Sequence, residues 1–244
     1  MSCPPPPVRD ALVARFWNGT ALRSRGVGPT VLVGQVDVSP PPPRLVADWE
    51  RDMATLLEPG EVEALPLARA RMRWPDYRQC VAALEGWTRK LGLGELLAGQ
   101  GEVALMACRG ARYHHDGAQY PGAAFCNLFL GEDQGLDLHF PAAGLRMPLV
   151  RGTSVVFDTC QPHAVIRRGS AGFDAAHFGP GQAGGLVFLT WELPIDDSGL
   201  AQALGVDFDT DPGTAQGGEE DEQLWWNGQP AEVCPASGRW RTPD

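Results

Sequence analysis

The chain has 244 residues, of which 43% are hydrophobic and 20% are charged, a balance typical of a globular protein with a sizeable core. Lys and Arg number 20 against 30 Asp and Glu, so the formal net charge is −10, which argues against nucleic acid as the partner. Thirty glycines and 22 prolines favour short strands and turns over long helices. Because no run of 18 apolar residues and no secretory signal pattern is present, we expect a cytoplasmic protein without membrane spans.

The six cysteines are scattered along the chain and form no C-x-x-C pair. A disulfide framework is typical of small secreted proteins, a class that this chain does not resemble. We therefore predict mostly reduced thiols, with Cys126 and Cys160 as small core residues on strands.

The first part of the chain predicts one strand and two helices. Thr30 to Val38 is rich in β-branched residues and lies between turn residues, which favours a strand. Apolar residues then recur at helical spacing and stop at Pro59-Gly60; they are Leu45, Trp49, Met53, Leu56 and Leu57. A second amphipathic helix is predicted from Pro75-Asp76 to about Gly99. We expect both helices to be packing elements.

From Glu102 onward the sequence predicts short strands separated by Gly, Pro and Asp. The predicted strands are 103–108, 123–130, 136–140, 153–167 and 186–193. Strands at this spacing indicate a sandwich or a barrel. We predict a single domain with an N-terminal support region over 1–102, a catalytic core over 103–193 and a tail over 194–244. In the tail, the acidic run at 219–222 is predicted to be a solvated loop, and the tryptophans at 225, 226 and 240 a flap or short hairpin.

Two of the five histidines lie in the segment His114-His115-Asp116. In an extended segment, residues i and i+2 point to the same face, so His114 and Asp116 can reach one metal ion. His163 is the third candidate ligand. Two histidines and one carboxylate form the facial triad of non-haem Fe(II) oxygenases, which leaves positions open for substrate and O₂.

Three further motifs follow this pair in a characteristic order. They are Asn127-Leu-Phe-Leu130, Leu138-His139-Phe140-Pro141 and Gly152-x4-Phe157-x5-His163-x-Val165. In order and spacing, the set resembles the prolyl-hydroxylase-like branch of the Fe(II)/2-oxoglutarate-dependent dioxygenases. This resemblance covers residues 103–193. It implies a mostly β fold, namely a double-stranded β-helix (jelly-roll) core supported by N-terminal α-helices. It also implies that His114, Asp116 and His163 bind Fe(II), with 2-oxoglutarate as co-substrate.

The chain departs from this family where the distal carboxylate of 2-oxoglutarate is usually bound. The family places an Arg or Lys near the start of the last core strand, but that strand opens here with Gly184-Gly185. Strand alternation puts Arg167 on the same face as His163, so we predict Arg167 as the anchor. Arg168 is the alternative if a bulge changes the register. Arg146 and Arg151 are further candidates for the anchor. The alternative is that this chain does not use 2-oxoglutarate.

Several polar residues are predicted to support the pocket. Tyr120 and Asn127 are predicted to contact the co-substrate, and Tyr113 and Gln119 are further hydrogen-bonding candidates. His115 faces the opposite side from His114 and is predicted to have a structural role. His139 alternates with Leu138 and Phe140, so it is expected to face solvent or the substrate entrance.

The predicted function is therefore that of a hydroxylase that acts on an unactivated C–H bond, with O₂ consumed and succinate and CO₂ as co-products. The substrate expected is a small molecule, such as an amino acid or a natural-product intermediate, or else a protein side chain. Because Asp116 is retained, the resemblance implies hydroxylation or a related oxidation and not halogenation. Two alternatives stay open, namely a cupin-like metal-dependent enzyme that does not use 2-oxoglutarate, and a non-catalytic binding protein on the same barrel.

Overall fold

The computed structural model describes residues 12–99, 103–179, 184–211 and 224–242. The strands before the core are β1 (Leu12–Trp17), β2 (Leu22–Gly26), β3 (Leu32–Gln35) and β4 (Val62–Leu65). The core strands are β5 (Val103–Cys108), β6 (Ala111–His114), β7 (Ala123–Phe129), β8 (Leu136–Phe140), β9 (Leu145–Pro148), β10 (Thr153–Asp158), β11 (His163–Arg167) and β12 (Leu186–Pro194). The tail contributes β13 (Leu224–Trp226), β14 (Gln229–Pro230), β15 (Glu232–Val233) and β16 (Trp240–Arg241). The helices are α1 (Pro43–Leu56), α2 (Leu67–Arg73), α3 (Tyr77–Lys90), α4 (Gly94–Gly99) and α5 (Ser198–Leu204).

The eight core strands, together with β3 and β4, form two facing antiparallel sheets. The larger sheet has the order β3-β10-β7-β12-β5-β4, and the smaller one has the order β6-β11-β8-β9. Along the chain, β5, β7, β10 and β12 lie in the larger sheet, while β6, β8, β9 and β11 lie in the smaller one. Since the chain winds between the sheets in this way, adjacent core strands are distant in sequence, except for the β8–β9 hairpin. The core is a double-stranded β-helix, which confirms the predicted fold class.

The alternation of side chains along the larger sheet separates two apolar layers. On β7, Ala124, Cys126 and Leu128 face outward and pack with the buried residues of the helices. Phe125, Asn127 and Phe129 face inward, into the space between the sheets. The outer layer is completed by helical residues at the predicted spacing, namely Leu45, Trp49 and Met53 of α1 and Leu84 of α3. The helices thus support one face of the barrel and leave its interior to the site.

The N-terminal region differs in detail from the sequence prediction. The strand expected over 30–38 is observed as the shorter β3, which pairs with β10 at the edge of the larger sheet. Strand β4 pairs with β5 at the opposite edge. The second predicted helix ends at Lys90, and α4 begins separately at Gly94, because the intervening Leu-Gly-Leu-Gly sequence is a poor helix former. Strands β1, β2, β4 and β9 and helix α2 were not predicted.

The continuous stretch predicted over 153–167 is divided into two strands that lie in different sheets. Strand β10 ends at Asp158 and β11 begins at His163. The turn over 159–162 carries the chain across the barrel, and Gln161 N–H donates to the Asp158 carbonyl within it (2.8 Å). Cys160 therefore lies in a turn and not on a strand, although it is fully buried as expected.

The tail forms hairpins, as predicted for its tryptophans. Strand β13, which contains Trp225 and Trp226, pairs with β14 and also extends the β1–β2 sheet. Strands β15 and β16 form a second hairpin. The acidic run at 219–222 lies outside the described residues. Within the described ranges, no helix has the length and apolar character needed to cross a membrane.

Candidate metal centre

The side chains of His114, Asp116 and His163 converge at one end of the barrel. Nε2 of His114 lies 3.6 Å from Asp116 Oδ1, and Nε2 of His163 lies 3.5 Å from Asp116 Oδ2. One ligand atom from each residue lies within 4.8 Å of the others. Ligand atoms about 2.0–2.2 Å from a shared divalent ion are roughly 3.0–3.5 Å apart, so the two distances between a histidine and the carboxylate fit ligands of one ion.

The hydrogen bonds of the two imidazoles direct a lone pair from each ring toward this point. His114 Nδ1 lies 2.7 Å from the Arg112 carbonyl oxygen, and His163 Nδ1 lies 3.0 Å from the Gln161 carbonyl oxygen. A carbonyl only accepts, so each Nδ1 carries the proton and each Nε2 of a neutral ring has a free lone pair. Such a backbone partner sets the tautomer and the ring orientation of metal-binding histidines.

Three different elements bring the ligands together. His114 ends β6, His163 begins β11, and these two residues are register partners in the smaller sheet. Asp116 lies in the turn after β6, and its N–H donates to the Thr159 carbonyl (2.8 Å). The sequence argument placed His114 and Asp116 on one extended face, whereas the structure places Asp116 in a turn that is bonded to the 159–162 turn.

A buried ion pair lies behind that second turn. The Arg25 guanidinium donates to both carboxylate oxygens of Asp158 at 2.5 and 2.9 Å, and both side chains have 0% exposure. Asp158 also accepts from the N–H groups of Gly28 and Cys160. A carboxylate with this many donors is held in one position. The pair therefore anchors the turn that leads into His163.

Burial controls the protonation of the ligands. It lowers the pKa of His163 well below its ordinary value, and the neighbouring His114 lowers it further. Burial also raises the pKa of Asp116, against the opposing effect of His114 and His115. A neutral His163 has the lone pair that a metal ion requires, and burial makes a positive ion a favourable partner for the Asp116 carboxylate.

The ligands open onto a cavity of about 250 Å³ between the two sheets. Its lining is mainly apolar, with Phe125, Phe129, Phe157 and Phe188 among the aromatic contributors. The polar lining residues outside the ligand set are Gln119, Tyr120, Asn127, Thr190 and Glu192. Tyr120 and Asn127 thus lie where the sequence predicted, and their roles toward a co-substrate stay predictions. None of the described lining residues is a Lys or an Arg.

The predicted anchors, Arg167 and Arg168, do not line this cavity. Arg167 donates to the carbonyls of Gln134 (2.9 Å) and His177 (3.0 Å). Arg168 pairs with Asp133 and Asp137. This placement corrects the expectation that strand alternation carries Arg167 into the pocket with His163. Loop carbonyls bind the Arg167 guanidinium instead, and one exposed and one buried carboxylate bind that of Arg168.

The other two arginine candidates are also bound elsewhere. Arg146 donates to Asp137 (2.7 Å) and to the carbonyls of Ser170 and Arg167, while Arg151 pairs with Glu132. Neither lines the cavity.

The remaining histidines near the site face away from the cavity. His139 lies on the outer face of the smaller sheet, with Nδ1 2.6 Å from the Tyr113 hydroxyl, so Tyr113 is not a pocket residue either. His115 packs against Trp240 of the tail at a ring-centroid distance of 5.2 Å. This agrees with the structural role predicted for His115.

Sequence reasoning missed Thr190, Glu192 and Arg25 as contributors to the site. Thr190 and Glu192 alternate along the last core strand, a signal that could have assigned both to its inner face. No comparable signal pointed to Arg25, because its partner Asp158 is 133 positions away in the sequence.

No protein-family model and no curated protein matches this sequence. Solved structures do match. EvdO2 from Micromonospora carbonacea var. aurantiaca is 14% identical, with 69% of this chain and 87% of that chain covered and a TM-score of 0.39. A Pseudomonas putida prolyl-4-hydroxylase is 19% identical, with 69% and 92% covered and a TM-score of 0.38. A viral collagen prolyl hydroxylase from Paramecium Bursaria Chlorella virus-1, in a 2OG complex, is 12% identical, with 66% and 94% covered and a TM-score of 0.37.

The strand order of this chain and the distances between its candidate metal ligands do not depend on these comparisons.

Proposed function

We propose that the protein is a non-haem Fe(II) enzyme that uses 2-oxoglutarate and O₂ to oxidise a C–H bond of a small molecule or a protein side chain. The observation that carries the proposal is the convergence of two histidine Nε2 atoms and one carboxylate at the mouth of a cavity in a double-stranded β-helix. Three protein ligands on one side leave the other positions of an ion open to a co-substrate and O₂. Iron bound there would supply the activation of O₂.

The chain's own residues have separate tasks in this function. His114, Asp116 and His163 would hold the ion. The aromatic lining excludes water from the oxidising centre, which limits side reactions. Burial raises the pKa of Tyr120, and so do the nearby Glu192 and Asp116, so its hydroxyl stays protonated and can donate a hydrogen bond at the cavity mouth.

Removal of one ligand tests the metal assignment. We expect His163→Ala to lose Fe(II) binding, because two remaining ligands hold an ion weakly and the cavity offers no replacement imidazole. The measurement is iron content per chain after anaerobic loading and desalting. His139→Ala is the matched control, since it removes an imidazole from the same barrel on the face away from the cavity. Equal iron content in the two variants would contradict the assignment.

Turnover tests the reaction class. We expect the Fe(II)-loaded protein to convert 2-oxoglutarate to succinate in air, slowly without a substrate and faster with the correct one. The measurement is succinate formed per chain, with His163→Ala as the blank. A substrate screen that includes free amino acids and peptides separates the two substrate classes. Iron binding without any succinate above the blank would contradict the use of 2-oxoglutarate.

One observation favours a second candidate function, that of a metal-dependent enzyme on the same barrel that uses no 2-oxoglutarate. The described cavity lining contains no cation, whereas a buried carboxylate is usually paired with one. Anaerobic titration of the Fe(II)-loaded protein with 2-oxoglutarate distinguishes the candidates. A charge-transfer band in the visible region supports the first function, and its absence at saturating concentrations supports the second.

A further inference from the structure

Two polar groups in the cavity have no hydrogen-bond partner among the described residues. They are Asn127 Oδ1 and Thr190 Oγ1, and both atoms are buried. Asn127 is 7% exposed and is the direct register partner of Thr190 across β7 and β12. A buried polar group without a partner costs free energy, so a neighbouring pair of them that faces one cavity indicates that a ligand completes their hydrogen bonds.

The pair lies at a defined depth in the barrel. The register places Phe125 opposite Glu192, then Asn127 opposite Thr190, then Phe129 opposite Phe188. Phe125 is near the ligands, because it contacts Phe157, which packs on His163. Two residues of a strand span about 7 Å, so the polar pair lies about that far beyond Phe125. An extended five-carbon chain is of comparable length.

The next pair of side chains along the lining is aromatic. Phe129 and Phe188 pack against each other at a centroid distance of 5.2 Å, and both are lining residues. A ligand that enters past the metal ligands therefore meets the Asn127–Thr190 pair before these two aromatic rings. Arg146, Arg167 and Arg168 lie outside the cavity lining and donate to loop carbonyls and carboxylates.

We infer that the Asn127–Thr190 pair binds the far carboxylate of the 2-oxo acid co-substrate, through uncharged hydrogen bonds in place of an ion pair. This inference rests on the proposed function. The Thr190 hydroxyl donates one hydrogen bond. The Asn127 amide donates another from its NH₂ group, since its oxygen and nitrogen exchange places by rotation of the amide.

Variants at Thr190 test the inference by a binding measurement. Anaerobic Fe(II)-loaded protein is titrated with 2-oxoglutarate and with 2-oxobutanoate, a shorter 2-oxo acid without the far carboxylate, and the charge-transfer band gives each Kd. We expect Thr190→Val to weaken 2-oxoglutarate binding about tenfold or more and to leave 2-oxobutanoate within about twofold. Thr190→Ser keeps the hydroxyl and should bind both acids like the unaltered protein.

A second variant keeps the test independent of Thr190. Asn127→Asp places a carboxylate beside the far end of the ligand, so it should weaken 2-oxoglutarate binding more than 2-oxobutanoate binding. Iron content and circular dichroism show whether each variant retains its site and fold.

The possible failures are distinguishable. If the unaltered protein gives no band with either acid, the proposed function fails. If it binds 2-oxoglutarate but Thr190→Val and Asn127→Asp weaken both acids equally, the assignment of this pair is overturned and the function stands. If Thr190→Ser binds 2-oxoglutarate as weakly as Thr190→Val does, the assignment is also overturned, because the hydroxyl would then have no role.

Discussion

At the scale of single residues, the candidate metal site depends on two side chains, Arg25 and Asp158, that do not line the cavity. The turn before His163 is held by Asp158, which accepts hydrogen bonds from the Arg25 side chain and from two backbone N–H groups. Arg25 comes from β2, outside the core strands, and also donates to the Pro121 carbonyl. One guanidinium therefore ties the N-terminal sheet to the β6–β7 loop, which contains Asp116, and to the turn that precedes His163.

Arg25→Met tests this residue. We expect the free energy of unfolding to fall by about 3–5 kcal/mol, because the variant leaves the Asp158 carboxylate buried without its cation. The measurement is urea denaturation of the metal-free protein. Arg23→Met is the matched control, since Arg23 lies on the same strand and pairs with Asp209 at the surface; there we expect a loss of less than about 1 kcal/mol. Equal losses would show that the buried pair has no special role.

At the scale of elements, the turn between β9 and β10 leaves no room for a side chain at one position. Gly152, in the turn between β9 and β10, has φ +86 and bonds through its carbonyl to Val36 and through its N–H to Phe129. A Cβ at this position would lie 2.1 Å from the Val36 carbonyl oxygen. The edge strand β3 therefore approaches β10 as closely as it does because residue 152 is a glycine.

A pair of glycine variants separates steric contact from backbone strain. Gly144 has φ +61, and a Cβ there would have no atom within 4 Å. Gly144→Ala should cost about 1–2 kcal/mol, the strain of a left-handed alanine. We expect Gly152→Ala to cost about 1–3 kcal/mol more, because the backbone of β3 must move. Thermal and urea unfolding of both variants measures the difference, and equal stability would mean that β3 adjusts freely.

At the scale of the whole molecule, the described thiols divide into a protected group and an accessible one. Cys80, Cys108, Cys126 and Cys160 are buried, and Cys234 of the tail is partly exposed. Burial raises the pKa of Cys80 to about 11 and that of Cys108 and Cys160 to about 12. A hydrogen bond from the Ser237 side chain lowers the pKa of Cys234. The thiolate is the reactive form, so the Cys234 thiol of the tail is expected to be more reactive than the four buried thiols.

We expect an alkylating reagent at neutral pH to modify Cys234 first among these five cysteines in the native protein. Cys126, in the centre of β7, should react only when the barrel unfolds. Peptide mapping by mass spectrometry at increasing urea concentrations measures both rates. Labelling of Cys126 as fast as that of Cys234 without denaturant would show that the helices separate from the larger sheet in the native state.

The sequence by itself determined the fold class and the metal ligands. The spacing of short strands indicated a barrel, and the order of His114, Asp116 and His163 among the motifs indicated which side chains meet. The structure confirms the fold class and brings these three side chains together, while their role as iron ligands stays a prediction. Both inferences depend on local patterns, namely strand alternation and turn residues, and on a motif order that resembles a known family.

The tertiary structure alone decided what surrounds those ligands. Strand alternation favoured Arg167 as a cavity residue, but loop carbonyls that are distant in sequence bind its guanidinium. Likewise, the Asn127–Thr190 pair exists only through the register of β7 with β12, strands that are separated by four others along the chain. The physical reason is the same in both cases. A polar side chain goes where its hydrogen bonds are satisfied, and partners that are distant in sequence are set by packing of the whole barrel.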